Sequence, residues 1–162
     1  MELVRFDGNP TPPNPVVVET RTPDGFALRL ARWKTVRPPS KGTVIILQGR
    51  AEFIEKYFET ITDLRETGYD VCAFDWRGQG GSHRFLADRK RGYIDSFDQY
   101  LVDFETVMTD VVLPDCRPPH FVLAHSFGAL VALLAAPQMS NRIQRMVFSA
   151  PLVRFGDLPF SQ

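Results

Sequence analysis

The clearest chemistry in the chain stands at Phe121-Val122-Leu123-Ala124-His125-Ser126-Phe127-Gly128-Ala129-Leu130. A continuously apolar run reaches one hydroxyl and passes at once into a second apolar run, the pattern of a buried strand that turns into a helix with no loop between. Such a turn strains the residue at its apex and crowds its neighbours, so small residues are needed two positions before and two after it. Ala124 and Gly128 occupy those places. The Ser126 oxygen would then stand clear of the backbone at a helix N-terminus, where the dipole and unpaired N–H groups favour developing negative charge. That is a nucleophile's environment. The competing reading is an ordinary N-cap, for which serine is equally suited; the strand before it and the helix after it favour the nucleophile.

Two further segments could serve such a serine. Leu47-Gln48-Gly49-Arg50-Ala51-Glu52 ends another apolar run and opens a helical pattern. The backbone N–H groups of Arg50 and Phe127 are then the pair able to hold an acyl oxyanion, each donor worth about 3 kcal/mol in the transition state. Taken alone, Gly49 need do no more than make the turn. Asp75-Trp76-Arg77-Gly78-Gln79-Gly80-Gly81-Ser82 is a glycine-rich loop after a strand, but it lacks the Gly-Lys-Ser/Thr of a phosphate loop and any dinucleotide-type helix. Asp75 and Arg77 are expected to fix it by hydrogen bonds instead. A serine also needs a base. His125 is adjacent to Ser126 and should point away from it, His120 opens the same strand at the far end, and His83 follows the glycine loop, so all three are expected to be structural or on the surface.

The elements that must position these residues follow from patterning. The first fifteen residues, with Asn9-Pro10-Thr11-Pro12-Pro13-Asn14-Pro15, form an extended arm. Val16 to Thr20, the turn Thr22-Pro23-Asp24-Gly25, and Phe26 to Trp33 with Phe26, Leu28 and Leu30 on one face describe an antiparallel hairpin. From Thr43 short, wholly apolar runs alternate with helix-length stretches: Val44 to Leu47, Val71 to Phe74, Phe121 to Ala124 and Met146 to Phe148. This is the signature of parallel strands covered by crossover helices, an α/β chain. Phe53, Tyr57, Ile61 and Leu64 mark one helix stopped by Gly68. Phe97, Leu101, Phe104, Met108 and Val111 mark another, ended by Pro114. Leu130, Val131, Leu133 and Leu134 give a third that is apolar nearly all round, suited to a central, covered position.

The 162 residues, with 19 basic and 19 acidic side chains, carry no net charge that would draw nucleic acid or an anionic membrane. The longest apolar run, Phe127 to Ala136, is ten residues, half of what a bilayer span requires (roughly 20). The N-terminus lacks signal-peptide regions, and a soluble cytoplasmic protein is expected. Cys72 and Cys116 have no metal-binding spacing; two free thiols, no metal and no cofactor are expected.

The three motifs, in this order, resemble the α/β-hydrolase superfamily, in the branch of lysophospholipase L2, monoacylglycerol lipase and serine aminopeptidase-like hydrolases. The D-x-R-G-x-G-x-S loop is matched at Asp75, Arg77, Gly78, Gly80 and Ser82, and the elbow at His125, Ser126 and Gly128. The H-G-x-x-E segment is matched at Gly49 and Glu52 with Gln48 in the place of histidine. The resemblance implies a serine ester hydrolase acting on a small lipid ester such as a lysophospholipid or monoacylglycerol, through an acyl-enzyme on Ser126. It implies the chain order serine, acid, histidine. After Ser126 there is no histidine, and Asp157 is the only acid. The chain is therefore expected to be the N-terminal half of such a hydrolase, a shortened or split gene, a frameshift or a cropped chain. The partial core is placed at 16–151 and the start of a cap, a region for peripheral membrane contact, at 152–162. Alone it should be inactive, and the strand at Met146 to Phe148 should form an apolar edge that pairs with a second copy or a complementary chain. The alternative is an inactive fragment or interaction module of the same origin.

Overall fold

The computed structural model describes residues 2–89 and 91–154; the expected cap residues from 155 onward, with Asp157, lie outside them. Six strands, β1 (Val16–Arg21), β2 (Ala27–Trp33), β3 (Thr43–Leu47), β4 (Asp70–Phe74), β5 (His120–His125) and β6 (Arg145–Ser149), form one sheet in the order β1-β2-β4-β3-β5-β6. The expected hairpin is present, with Val18 opposite Leu30, and β2 continues antiparallel onto β4. The β4, β3, β5 and β6 strands run parallel.

Crossovers carry the chain through α1 (Phe58–Glu66), α2 (Asp98–Val107) with a wider π turn at Met108–Val112 and the short α3 (Leu113–Asp115), then α4 (Phe127–Met139). From β3 the chain crosses outward to β4, then back over β3 to β5. That reversal opens a crevice beyond the carboxyl ends of β3 and β5, where open α/β sheets place their ligands.

Strand residues alternate between two cores. Leu28, Leu30, Ile45, Leu47, Cys72 and Phe74 pack with α2 and α4, whereas Ala31, Trp33, Ile46, Val71 and Ala73 pack with Ile54, Phe58 and Ile61. The alternation expected for β2, with one buried face, is corrected here. One face of β2 (Leu28, Leu30) packs with α2 and α4 and the other (Ala31, Trp33) with Ile54, Phe58 and Ile61, so both faces are covered and Arg29 is buried. The N-terminal arm helps cover it: Trp33 Nε1 donates to the Pro12 carbonyl at 3.0 Å, and Val4 N–H donates to Glu55 at 2.8 Å. Helix α4 is likewise only half covered. Val131, Ala135 and Met139 are buried against the sheet, but Leu133 and Leu134 are 39% and 49% exposed, because no described residue packs on that outer face.

Candidate active site

A single residue, Ser126, separates β5 from α4. Its φ of 50° and ψ of −114° lie where L-residues rarely go, a strain of order 1–3 kcal/mol that the surroundings must hold. They hold it from both sides. Ser126 N–H donates to the Ser149 carbonyl at 3.1 Å, and its own carbonyl accepts from Leu152 N–H at 3.0 Å and Ala129 N–H at 3.1 Å. The end of β6 thus anchors the apex of the turn. The hydroxyl makes no capping hydrogen bond to α4, which removes the N-cap reading.

The small neighbours are required by close approach. A Cβ on Gly128 would lie 2.3 Å from the Leu47 carbonyl oxygen and 2.7 Å from that of Gln48, so only glycine lets α4 start directly over the end of β3. Ala124 is fully buried and sits between Leu47 and Phe148 in register. Phe127 is buried edge-to-face against Tyr100 at 4.7 Å and Trp76 at 5.7 Å, and its N–H belongs to the first turn of α4, which has no acceptor within the helix.

The loop after β3 is pinned on both sides of Arg50. Gly49 N–H donates to Glu52 at 2.7 Å, and Ala51, at a φ of 60°, donates its N–H to Gln79. Arg50 N–H, between them, has no acceptor among the described residues. Gln48, the residue that departs from the family pattern, uses its amide to tie the loop to β4: Nε2 donates to the Phe74 carbonyl and, at 3.0 Å, to Asp75. Glu52 also accepts from Lys56, Tyr57 and His125. Burial opposes its charge, but these hydrogen bonds outweigh burial and bring its pKa down to about 2.

Asp75 is the hub of the glycine loop. Fully buried, it accepts from Ile54 N–H at 2.9 Å, Gly81 N–H at 2.7 Å, Gln48, and Arg29 Nε at 2.7 Å. Ser82 Oγ donates to the Asp75 carbonyl at 2.6 Å and receives Arg29 N–H at 2.9 Å. Gly80, at a φ of 49°, leaves only 2.2 Å between a would-be Cβ and the Asp75 carboxyl. Arg77, also fully buried, bonds Asp103 through Nε at 2.8 Å and Asp24 through Nη1 at 2.6 Å; Gly78 turns the loop at a φ of 74°. The expected fixing role of Asp75 and Arg77 is thus present. Its partners Arg29, Glu55, Asp24 and Asp103 were not singled out from sequence. An arginine inside the apolar run Ala27-Leu28-Arg29-Leu30-Ala31 was the available signal.

The histidines sit apart from the hydroxyl. His125 Nδ1 lies 3.2 Å from Glu52, the buried His120 is 3.3 Å from the Cys116 carbonyl, and His83 meets Phe26 edge-to-face with ring centroids 4.9 Å apart. Among the described residues none hydrogen-bonds Ser126 Oγ. Cys72 and Cys116 are buried free thiols. No helix among the described residues is long and apolar enough to cross a membrane.

A sheet that reverses direction at β3 and carries a strained serine between β5 and α4 defines an α/β hydrolase. Solved structures agree on the fold. A thioesterase domain from the curacin biosynthetic pathway superposes with a TM-score of 0.70 at 22% identity over 89% of this chain and 49% of its own. A carboxyl esterase from Bacillus coagulans gives 0.68 at 20% identity, over 83% and 43%. The chain belongs to the serine aminopeptidase S33 family (Hydrolase_4), whose profile matches residues 38–161. It is 33% identical to a probable lysophospholipase L2 of Haemophilus influenzae over 76% of this chain and 40% of that protein. It is 34% identical to lysophospholipase L2 of Escherichia coli K12 over 67% and 32%, and 26% identical to a monoglyceride lipase of Rattus norvegicus over 80% and 41%. The chain therefore spans 32 to 41% of the length of these relatives.

Proposed function

We propose that this chain carries the nucleophile half of a serine ester hydrolase site of lysophospholipase or monoacylglycerol lipase type. The observation that carries the reading is the backbone of Ser126, held at a φ of 50° with its hydroxyl unused by the helix it precedes. A strained serine that caps nothing is costly for stability alone and suited to attack on a carbonyl carbon. The N–H groups of Arg50 and Phe127 are the oxyanion donors, and among the described residues neither has a main-chain acceptor. In attack, Ser126 Oγ bonds to the acyl carbon as its proton passes to a base, the carbonyl oxygen becomes the oxyanion, and collapse expels the glycerol-side alkoxide to leave an acyl-serine that water hydrolyses.

Among the described residues no histidine is placed to act as the base, since His83, His120 and His125 are all engaged elsewhere, so we take the base and its orienting acid to be supplied from outside the described residues. The chain alone should therefore turn over p-nitrophenyl butyrate negligibly, and addition of a segment that supplies an Asp followed by a His should restore turnover. Ser126→Ala-sensitive turnover by the 162 residues alone would overturn this assignment of base and acid. A second reading, an inactive interaction module, is favoured by β6, one of the two outermost strands of the sheet among the described residues, with Val147 61% exposed. It predicts association through that edge, and sedimentation of a monomer at tens of micromolar would contradict it.

A further inference from the structure

The two free thiols meet in the core although distant segments carry them. Cys72 is the middle residue of β4, paired with Arg32 of β2 and Ile45 of β3. Cys116 follows α3 and lies before β5, at the opposite end of that strand from Ser126; its N–H donates to the Val112 carbonyl at 2.9 Å, and its own carbonyl is 3.3 Å from His120 Nε2. Both cysteines belong to the same apolar cluster, and their thiols hydrogen-bond each other. They are not equally accessible. Cys72 is fully buried, whereas Cys116 lines a cavity of about 260 Å³ together with Arg32, Lys34, Asp70 and Asp115. A reagent from solvent therefore meets Cys116 first and reaches Cys72 only through it.

The surroundings favour a thiolate at Cys116 and a thiol at Cys72. Arg32 stands directly opposite Cys72 on the neighbouring strand, hence on the same sheet face, and its guanidinium reaches the Cys116 thiol. Its Nη1 is paired with Asp115 at 2.8 Å, but its buried Nε has no hydrogen-bond partner, so part of the cation is left to the sulfur. Lys34 acts on Cys116 in the same direction and is itself paired with Asp70 at 3.0 Å. The hydrogen bond from Cys72, opposed by burial and reinforced by Arg32, brings the Cys116 pKa down to about 7. The same hydrogen bond, and then burial, hold Cys72 well above its ordinary value. A sulfur held as thiolate beside a cation, open to solvent and backed by a second thiol, is the arrangement of an attacking and a resolving cysteine. Packing alone requires neither the cation nor the opening.

We propose that Cys116 is a site of oxidation by hydrogen peroxide and that Cys72 resolves it to a disulfide. The Cys116 thiolate attacks one peroxide oxygen, the O–O bond breaks, and the departing hydroxide takes a proton from solvent, which leaves a sulfenic acid. The Cys72 sulfur then attacks the Cys116 sulfur, the S–O bond breaks, and the Cys72 proton leaves with the oxygen as water. Two thiols are oxidised, one peroxide is reduced to two waters, and β4 is tied to the connection between α3 and β5 by a bond of about 2.05 Å. No part of this chemistry uses Ser126, so it stands or falls apart from the hydrolase reading. In the 162-residue chain, equimolar hydrogen peroxide followed by alkylation and non-reducing peptide mass spectrometry should give a Cys72–Cys116 linked peptide that dithiothreitol reverses. Cys72→Ser should stop the reaction at a sulfenic acid on Cys116 that dimedone traps, and Cys116→Ser should leave Cys72 reduced. Arg32→Gln should slow the reaction several-fold at neutral pH, because less of Cys116 is thiolate. In urea both cysteines should react alike; the same preference for Cys116 there would place its cause in local sequence rather than in the fold and would overturn the site. A sulfenic acid on Cys72 in the folded chain, disulfides formed only between chains, or two unmodified thiols after excess peroxide would overturn it as well.

Discussion

Gly128→Ala tests whether the elbow is built by close approach. The added Cβ would lie 2.3 Å from the Leu47 carbonyl oxygen, about an ångström inside the 3.4 Å at which ordinary contact begins. Leu47 cannot retreat, because β3 is hydrogen-bonded to β4 on one side and β5 on the other. The N-terminus of α4 must move instead, taking the Phe127 N–H and Ser126 with it. Overpacking costs about 1–3 kcal/mol, and two main-chain obstacles place this case at the top of that range. Alanine recovers about 1 kcal/mol of helix propensity relative to glycine, so a net loss of about 2 kcal/mol is expected. With a urea slope of roughly 1–3 kcal/mol per molar, the midpoint should fall by about 1 M with the slope unchanged. Urea unfolding followed by the fluorescence of Trp33 and Trp76, both fully buried, is the assay. Gly92→Ala is the control: its Cβ would meet nothing within 4 Å, and its midpoint should stay within about 0.5 kcal/mol of wild type. If the two midpoints coincide, glycine is not needed at Gly128 and the packing argument for the elbow fails.

Asp75→Asn keeps the shape of the hub and leaves Arg29 its Glu55 partner, but the amide cannot accept from all of Ile54, Gly81, Gln48 and Arg29, and a buried donor left unsatisfied should cost about 1–3 kcal/mol; a thermal midpoint equal to wild type would show the hub to be dispensable. Glu52 has its folded pKa brought down to about 2 from an ordinary 4.5, so its contribution is fully present above pH 4.5 and is lost as pH falls towards 2. Stability measured by urea across that window should slope downward in acid, and Glu52→Gln should flatten the slope; an unchanged slope would remove Glu52 as its source.

The elbow was legible in sequence because its chemistry is local. A strand, an apex and a helix are consecutive in the chain, and the small residues at Ala124 and Gly128 report the crowding directly. The parallel strands were legible for the same reason, as wholly apolar runs. What could not be read was what distant segments do to one another. Nothing near Arg29 in the sequence indicates that Glu55, Asp75 and the arm would close over it. Helix α4 misled in the opposite direction: uniform apolarity implies cover on all sides, yet Leu133 and Leu134 face outward among the described residues. The Arg50 loop was placed from its position at the end of an apolar run, but the reason its N–H is unused, the capture of the flanking amides by Glu52 and Gln79, needed coordinates.

The central claim is that Ser126 is an activated-ester nucleophile awaiting a base. Its most direct test is peptide mass spectrometry of the 162-residue chain after treatment with a fluorophosphonate, with and without imidazole as an added base. The account predicts a single adduct on Ser126, formed slowly alone, faster with imidazole, and lost in Ser126→Ala. Adducts spread over other serines, or none on Ser126 with imidazole present, would contradict it.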